Sequence, residues 1–209
     1  MKPILFSAQD VKALLNTKPG TYPAEPIKPS RPCKSQARRV VKPQPIPVKI
    51  RNDATDYLSW DSRKSRYQVG DKLWVRESHV LTNHGNPVYK ADFRDKSGDY
   101  WSSIASDPKG VKWRPSIHMP REAARLFLEI REVRVERLRD ISEIDCLQEG
   151  VQGNCVAYGP IDESCNESCM GCHEVNRTAF KKLWNAANGK DAWESNPWVW
   201  VYGFMRVEG

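Results

Sequence analysis

Between residues 126 and 150 the chain changes its periodicity twice, and this restricts the fold more than any other stretch. Leu126, Leu128 and Ile130 alternate with Phe127 and Glu129, and then the apolar phase slips by one residue to Val133 and Val135. Side chains of a strand alternate between faces, so a one-residue slip turns the other face inward unless an extra residue is absorbed. The spacing predicts a long strand with a bulge near Arg131 and Glu132, a bend of the kind that lets a sheet curl into a small barrel. A short helix follows. Ser142 with Asp145 three positions on makes a capping-box pattern, Ile141 and Cys146 supply a hydrophobic staple, and Gly150 stands where a C-terminal stop belongs. The helix carries Glu149 at its negative end, a poor electrostatic place for an acid.

The flanking chain is legible in coarser terms. Residues 3–6 read as a strand, and Ser7 with Asp10 opens a helix whose Val11, Leu14 and Leu15 share a face and which ends by Thr17. Residues 18–33 carry a proline about every third position, which predicts an extended, exposed loop. A basic segment follows, with Arg38, Arg39 and Lys42 around Val40-Val41, and it is stopped by Pro43 and Pro45. Residues 46–66 are polar and irregular, and Gly70-Asp71 turns into the strand KLWVRES. Residues 88–92 form another short strand, and 93–112 are a polar loop. Residues 174–188 form the longest helix, with Val175, Ala179, Phe180, Leu183, Trp184 and Ala187 on one face. The closing NPWVWVYGFMRVE is apolar on both alternating faces, the pattern of an interior strand. About six short strands and three helices make one α+β domain over 1–209 around a small barrel, with insertions at about 18–33, 46–66 and 152–173.

A formal charge of +7 and a pI near 9.1 favour polyanionic partners, nucleic acid first. No apolar run reaches membrane-spanning length, and MKPILFSAQD is too short in apolar residues for a signal peptide, so a reducing cytoplasm is the expected compartment. There the six cysteines are metal ligands or core residues rather than disulfides. Cys155, Cys165, Cys169 and Cys172, with His173 adjacent, suit a structural zinc held by four thiolates, or by three thiolates and the histidine. Unligated thiols are the alternative. The spacing also occurs in iron–sulfur loops of radical enzymes, but the late position and Gly171 before the last cysteine argue against that reading. Cys146 is read as core, and Cys33 has no obvious partner.

Taken in order, MKPILFS, RRVVKPQP, GDKLWVRES, YKAD, WRPSIHMPREAARLFLEI, ISEIDCLQEGV and NPWVWVYGFMRV resemble the ASCH-domain proteins, in the branch common in phages and prophages. These are relatives of the PUA RNA-binding barrel. The resemblance implies a PUA-like small β-barrel with flanking short helices, long inserted loops and a cleft for nucleic acid or a nucleoside. Small bacterial members hydrolyse the amide of N(4)-acetylcytidine with a lysine and a threonine from a Gly-Arg-Lys-Thr-x-Thr segment and a glutamate from a later short helix. Here the segment looks interrupted by the proline loop and resumes at Lys34. Lys34 then matches the lysine, Glu149 the glutamate and Ser35 the first threonine, while Ala37 stands where the catalytic threonine belongs.

That gives two expectations of different class, and the insertions add a third. The first is binding of RNA, another nucleic acid or a nucleoside in a basic cleft by Arg38, Arg39, Lys42, Arg76, Arg114 and Arg121. Trp74, Trp101 and Trp113 would be available for stacking, though Trp74 and the terminal tryptophans read better as core. The second is an N(4)-acetylcytidine-type amidohydrolase using Lys34, Glu149 and either Ser35 or water. It expects a lysine pKa lowered by burial and a glutamate pKa raised by the helix end. The third is a phage-encoded module that binds a host protein through the insertions.

Overall fold

The periodicity slip at Arg131 is a β-bulge. In the computed structural model, residues 1–23, 33–44, 65–82, 85–92, 112–155, 159–160 and 175–208 are described. In chain order they form β1 (Lys2–Leu5), α1 (Ala8–Leu15), β2 (Gln36–Val40), β3 (Lys72–Arg76), β4 (His79–Leu81), β5 (Pro87–Tyr89), β6 (Phe127–Arg137), α2 (Glu143–Gln148), β7 (Asn154–Cys155), β8 (Gly159–Pro160), α3 (Val175–Asn188) and β9 (Trp198–Val207). The fold is α+β. Five strands pair in the order β1-β3-β6-β9-β2, parallel between β1 and β3 and antiparallel elsewhere, and two small hairpins, β4-β5 and β7-β8, stand apart from this sheet.

β6 pairs with β9 from Phe127↔Val207 to Arg137↔Trp198, and the register shifts between Ile130 and Glu132. The extra residue, Arg131, is exposed. Absorbing it returns Val133 and Val135 to the face of Leu126, Leu128 and Ile130, where all five pack on a core with Ile4, Leu14, Leu73, Val75 and Phe204. The same shift turns Glu132, Arg134 and Glu136 to the opposite face.

β9 is interior, flanked by β6 and β2, which explains its two apolar faces. Trp200, Tyr202 and Phe204 join the first core. Val199 and Val201 face a second one, where Leu138, Ile141, Cys146, Phe180, Trp184 and Trp193 bring α2 and α3 onto the sheet.

The backbone pairings among the described residues form an open sheet with β1 and β2 at its edges. A side chain joins those edges: Arg39 Nη2 of β2 donates to Leu5 O of β1 at 3.0 Å. The start of the 18–33 segment is not a free extended loop. Gly20 N donates to Arg206 O of β9 at 2.9 Å, and the Tyr22 hydroxyl, lying over Gly203, donates to Glu132 at 2.7 Å. A side chain at position 203 would collide with the Tyr22 ring. The remainder of that insertion, most of 46–66 and most of 152–173 lie outside the described residues. No helix among the described residues is long and apolar enough to cross a membrane.

Candidate functional site

Both capping boxes form, and each helix they start contributes a carboxylate to one cluster. In α1 the Ser7 side chain accepts from Asp10 N and Asp10 returns a bond to Ser7 N. In α2 Ser142 and Asp145 do the same. α2 then stops on Glu149 and Gly150, whose φ is 80°. Gly150 N donates to Leu147 O and Val151 N to Cys146 O, the doubled closure of a Schellman motif. This closure fixes Glu149 beside β2, where a bridge pairs it with Lys34.

Lys34 is buried, and its ammonium meets three oxygens: Glu149 O at 2.7 Å, Glu149 Oε2 at 2.9 Å and Asp10 Oδ1 at 3.1 Å. The first of these is an end carbonyl of α2, so the lysine also caps the helix. Arg38 lies beyond it, fully buried. Its guanidinium reaches Glu149 Oε1 at 3.0 Å, Gln36 Oε1 at 3.2 Å, Glu136 Oε1 at 2.6 Å and Asp145 Oδ2 at 3.4 Å. Arg134 continues the series to Asp145, Glu136 and Glu132, and Glu132 holds Tyr22. Charges alternate in sign along the whole row. The register explains it: Arg38, Val201 and Arg134 lie side by side across β2, β9 and β6, as do Gln36, Gly203 and Glu132. Small residues on β9 let the long charged chains close over it.

One end of this polar layer, Lys34, Glu149 and Arg38 with Asp10, is the floor of a pocket of about 580 Å³. Ser7, Asp10, Lys34, Arg38 and Glu149 line one side, Phe180, Leu183, Trp184 and Ala187 of α3 line the other, and Arg39 is exposed at the lining. Arg39 stands 5.8 Å from the Phe6 ring and has no carboxylate partner among the described residues.

The expected pKa directions are reversed. Burial alone would push the Glu149 carboxyl up, but Lys34 and Arg38 together hold it below its ordinary value. Burial would pull the Lys34 ammonium down, but Glu149 and Asp10 hold it above its ordinary value. Asp10 and Asp145 are likewise lowered, against their burial, with Lys34 acting on the first, and Gln36, Arg38 and Arg134 on the second. A lysine in this setting is a fixed cation rather than a base, and Glu149 is a fixed anion.

Of the residues singled out in the sequence, Lys34, Glu149, Arg38 and Arg39 come together at the pocket. Ser35 is fully buried, is not part of the pocket lining, and its hydroxyl has no hydrogen-bond partner among the described residues. Ala37 lies in the first core. Arg76 stacks on Trp74 at 4.7 Å and donates to Ile117 O, close to Leu5 and Phe6. Lys42, Arg114 and Arg121 are exposed outside the pocket lining. Trp74 is buried, and Trp101 lies outside the described residues. So do Cys165, Cys169, Cys172 and His173, while Cys155 is the second residue of β7. Among the described residues no group of three His, Cys, Asp or Glu is arranged to hold a metal. Cys146 is a core thiol, pushed up to about 12 by burial and by Glu143.

Sequence reasoning missed Asp10 as a partner of Lys34, the Gln36–Glu132–Arg134–Glu136–Asp145 lattice, and the part α3 plays as the pocket's wall. A signal existed. Gln36/Arg38 and Glu132/Arg134/Glu136 alternate polar side chains at the two-residue period of a strand, which places each set on one face. Compared with known proteins, the chain matches no family model, no curated protein and no solved structure.

Proposed function

We propose that this chain binds one nucleoside unit of RNA or another nucleic acid in the pocket between the Lys34–Glu149 floor and the α3 wall. The observation that carries the reading is the meeting of three features in one 580 Å³ cavity: a hydrogen-bonding floor, an apolar wall with Phe180 and Trp184, and at the rim an arginine with no carboxylate partner among the described residues. A base needs an apolar surface for its faces and fixed polar groups for its edge, and its phosphate needs a cation. The volume falls within the roughly 300–1,000 Å³ usual for small-molecule pockets. The resemblance to ASCH-domain proteins supports the same reading. Under it, the five-stranded sheet would close as a PUA-like barrel, with the Arg39–Leu5 contact spanning its seam. The test is titration of labelled single-stranded RNA against the chain and against Arg39→Ala and Leu183→Glu, both at exposed positions. Losses of about tenfold or more in both variants, at unchanged thermal midpoint, are expected. Wild-type affinity in both rejects the pocket.

A second reading is favoured by one contact: Lys34 and Glu149, far apart in sequence, meet at 2.9 Å in the pocket floor. In an N(4)-acetylcytidine-type amidohydrolase, the Lys34 ammonium would stabilise the oxyanion by exchanging one of its three oxygen contacts for it. Glu149 would take a proton from the attacking water and pass it to the departing amine, giving cytidine and acetate. Incubation with N(4)-acetylcytidine decides this: turnover abolished by Lys34→Ala and by Glu149→Gln supports it, and no release of cytidine rejects it.

A further inference from the structure

The donors and acceptors of the floor are not balanced, and the imbalance selects a ligand. Lys34 has three N–H groups, and the three oxygens of Glu149 and Asp10 occupy them. Arg38 has five, and Glu136, Gln36, Glu149 and Asp145 face all of them. Neither cation has a donor left for a ligand. The carboxylates do have acceptor capacity left. Asp10 Oδ2 is filled by the backbone and hydroxyl of Ser7, but among the described residues Asp10 Oδ1, Glu149 Oε1 and Glu149 Oε2 each accept from a single cation. A carboxylate oxygen accepts two hydrogen bonds, so each of the three keeps one open position.

The depth order agrees with this. Side-chain exposure is 0% for Arg38, 3% for Lys34, 7% for Glu149 and 30% for Asp10, so the cations lie behind and the carboxylates in front. The cation at the rim, Arg39, makes no ion pair with a carboxylate among the described residues, and Glu149 feels its charge only from a distance.

Building on the nucleoside-pocket reading, we infer that Glu149 and Asp10 select a base whose edge carries an exocyclic amino group, cytosine, adenine or guanine, against uracil, while Arg39 takes the adjoining phosphate. An amino group offers donors to the open lone pairs. Uracil offers a single N–H flanked by two carbonyl oxygens, which would face carboxylates of like partial charge. A polyamine would also satisfy the lone pairs. The apolar α3 wall and the unpaired Arg39 argue for a flat, anionic ligand instead.

The experiment compares single-stranded octamers of ribocytidine, riboadenosine and ribouridine at one salt concentration on the full chain, so that the phosphate contribution is common. The cytidine or adenosine octamer is expected to bind at least about tenfold tighter than the uridine octamer, the discrimination that hydrogen bonds to a charged group supply. Asp10→Asn, at a partly exposed position, is expected to narrow that ratio, because an amide presents donors as well as an acceptor. Arg39→Ala is expected to weaken all three octamers alike and leave the ratio intact. Equal affinity for the three octamers in the wild type overturns the selection by amino group and leaves the pocket standing. Binding to none of them overturns the nucleoside pocket itself. Competition by spermine but not by cytidine monophosphate assigns the lone pairs to a polyamine and likewise overturns the inference.

Discussion

At Lys34 burial and charge are reconciled by saturation. A buried ammonium is tolerated when every N–H has an oxygen, and removing one member strands the other. Glu149→Gln is therefore expected to lower the unfolding free energy by about 3–5 kcal/mol. Lys34→Met should cost a similar amount, and the double variant should cost less than their sum by about 1 kcal/mol or more. Denaturant titrations of the four proteins across pH check the sign as well. The carboxyls of Asp10, Asp145 and Glu149 are depressed in the folded chain, so their contribution is complete above the unfolded carboxylate range and is lost as pH falls through the folded values. Lys34 is raised, so its contribution holds until pH climbs past the ordinary lysine range. The wild type should then be level between about pH 5 and pH 10 and weaken below about pH 4. The double variant, which has lost the Glu149 carboxylate, should show a shallower acid limb, and an identical limb in both would remove Glu149 from the account.

At the scale of elements, α2 is a device for placing one residue. Gly150 has a left-handed backbone, and a Cβ there would stand 2.9 Å from Ala13 Cβ. Gly150→Ala is expected to cost about 1–2 kcal/mol from conformation alone, and more from the contact. Adding Ala13→Gly should return the second part at its own cost of about 1 kcal/mol for a glycine inside α1, so thermal unfolding of Gly150→Ala, Ala13→Gly and the double variant separates the two parts. The elements themselves were readable because their signals are local. Ser142 with Asp145 announces a helix start, Gly150 an end, and the slip from Ile130 to Val133 a bulge. The floor was not readable to the same degree. Lys34 and Glu149 were paired through a family resemblance, and the lattice over β9 depends on the register Arg38↔Val201↔Arg134, which no local pattern specifies. The error in the pKa directions has the same origin. Burial and helix end were foreseen one residue at a time, whereas the sign was decided by partners more than a hundred positions away.

Across the whole molecule, the excess of positive charge is divided by use. Lys34, Arg38, Arg125, Arg131, Arg134 and Lys181 all have carboxylate partners. Arg39, Arg76, Arg114, Arg121 and Lys42 have none among the described residues. Two of these unpaired cations are neighbours, since β1 places Leu5 between them: Arg39 donates to Leu5 O, and Arg76 is the register partner of Leu5 in β3. A strand of nucleic acid leaving the pocket at Arg39 would cross Leu5 and reach Arg76. If both arginines meet phosphates, each releases counterions on binding, and the slope of log K against log salt should fall by roughly 0.7 for Arg39→Ala and again for Arg76→Ala with a single-stranded ligand. Arg131→Ala and Lys181→Ala also remove one charge each, but from groups already engaged by Glu129 and Glu194. They should shift affinity slightly and leave the slope unchanged. Equal slope changes from all four substitutions would mean that the chain attracts polyanions through its net charge alone, without a phosphate track from Arg39 to Arg76.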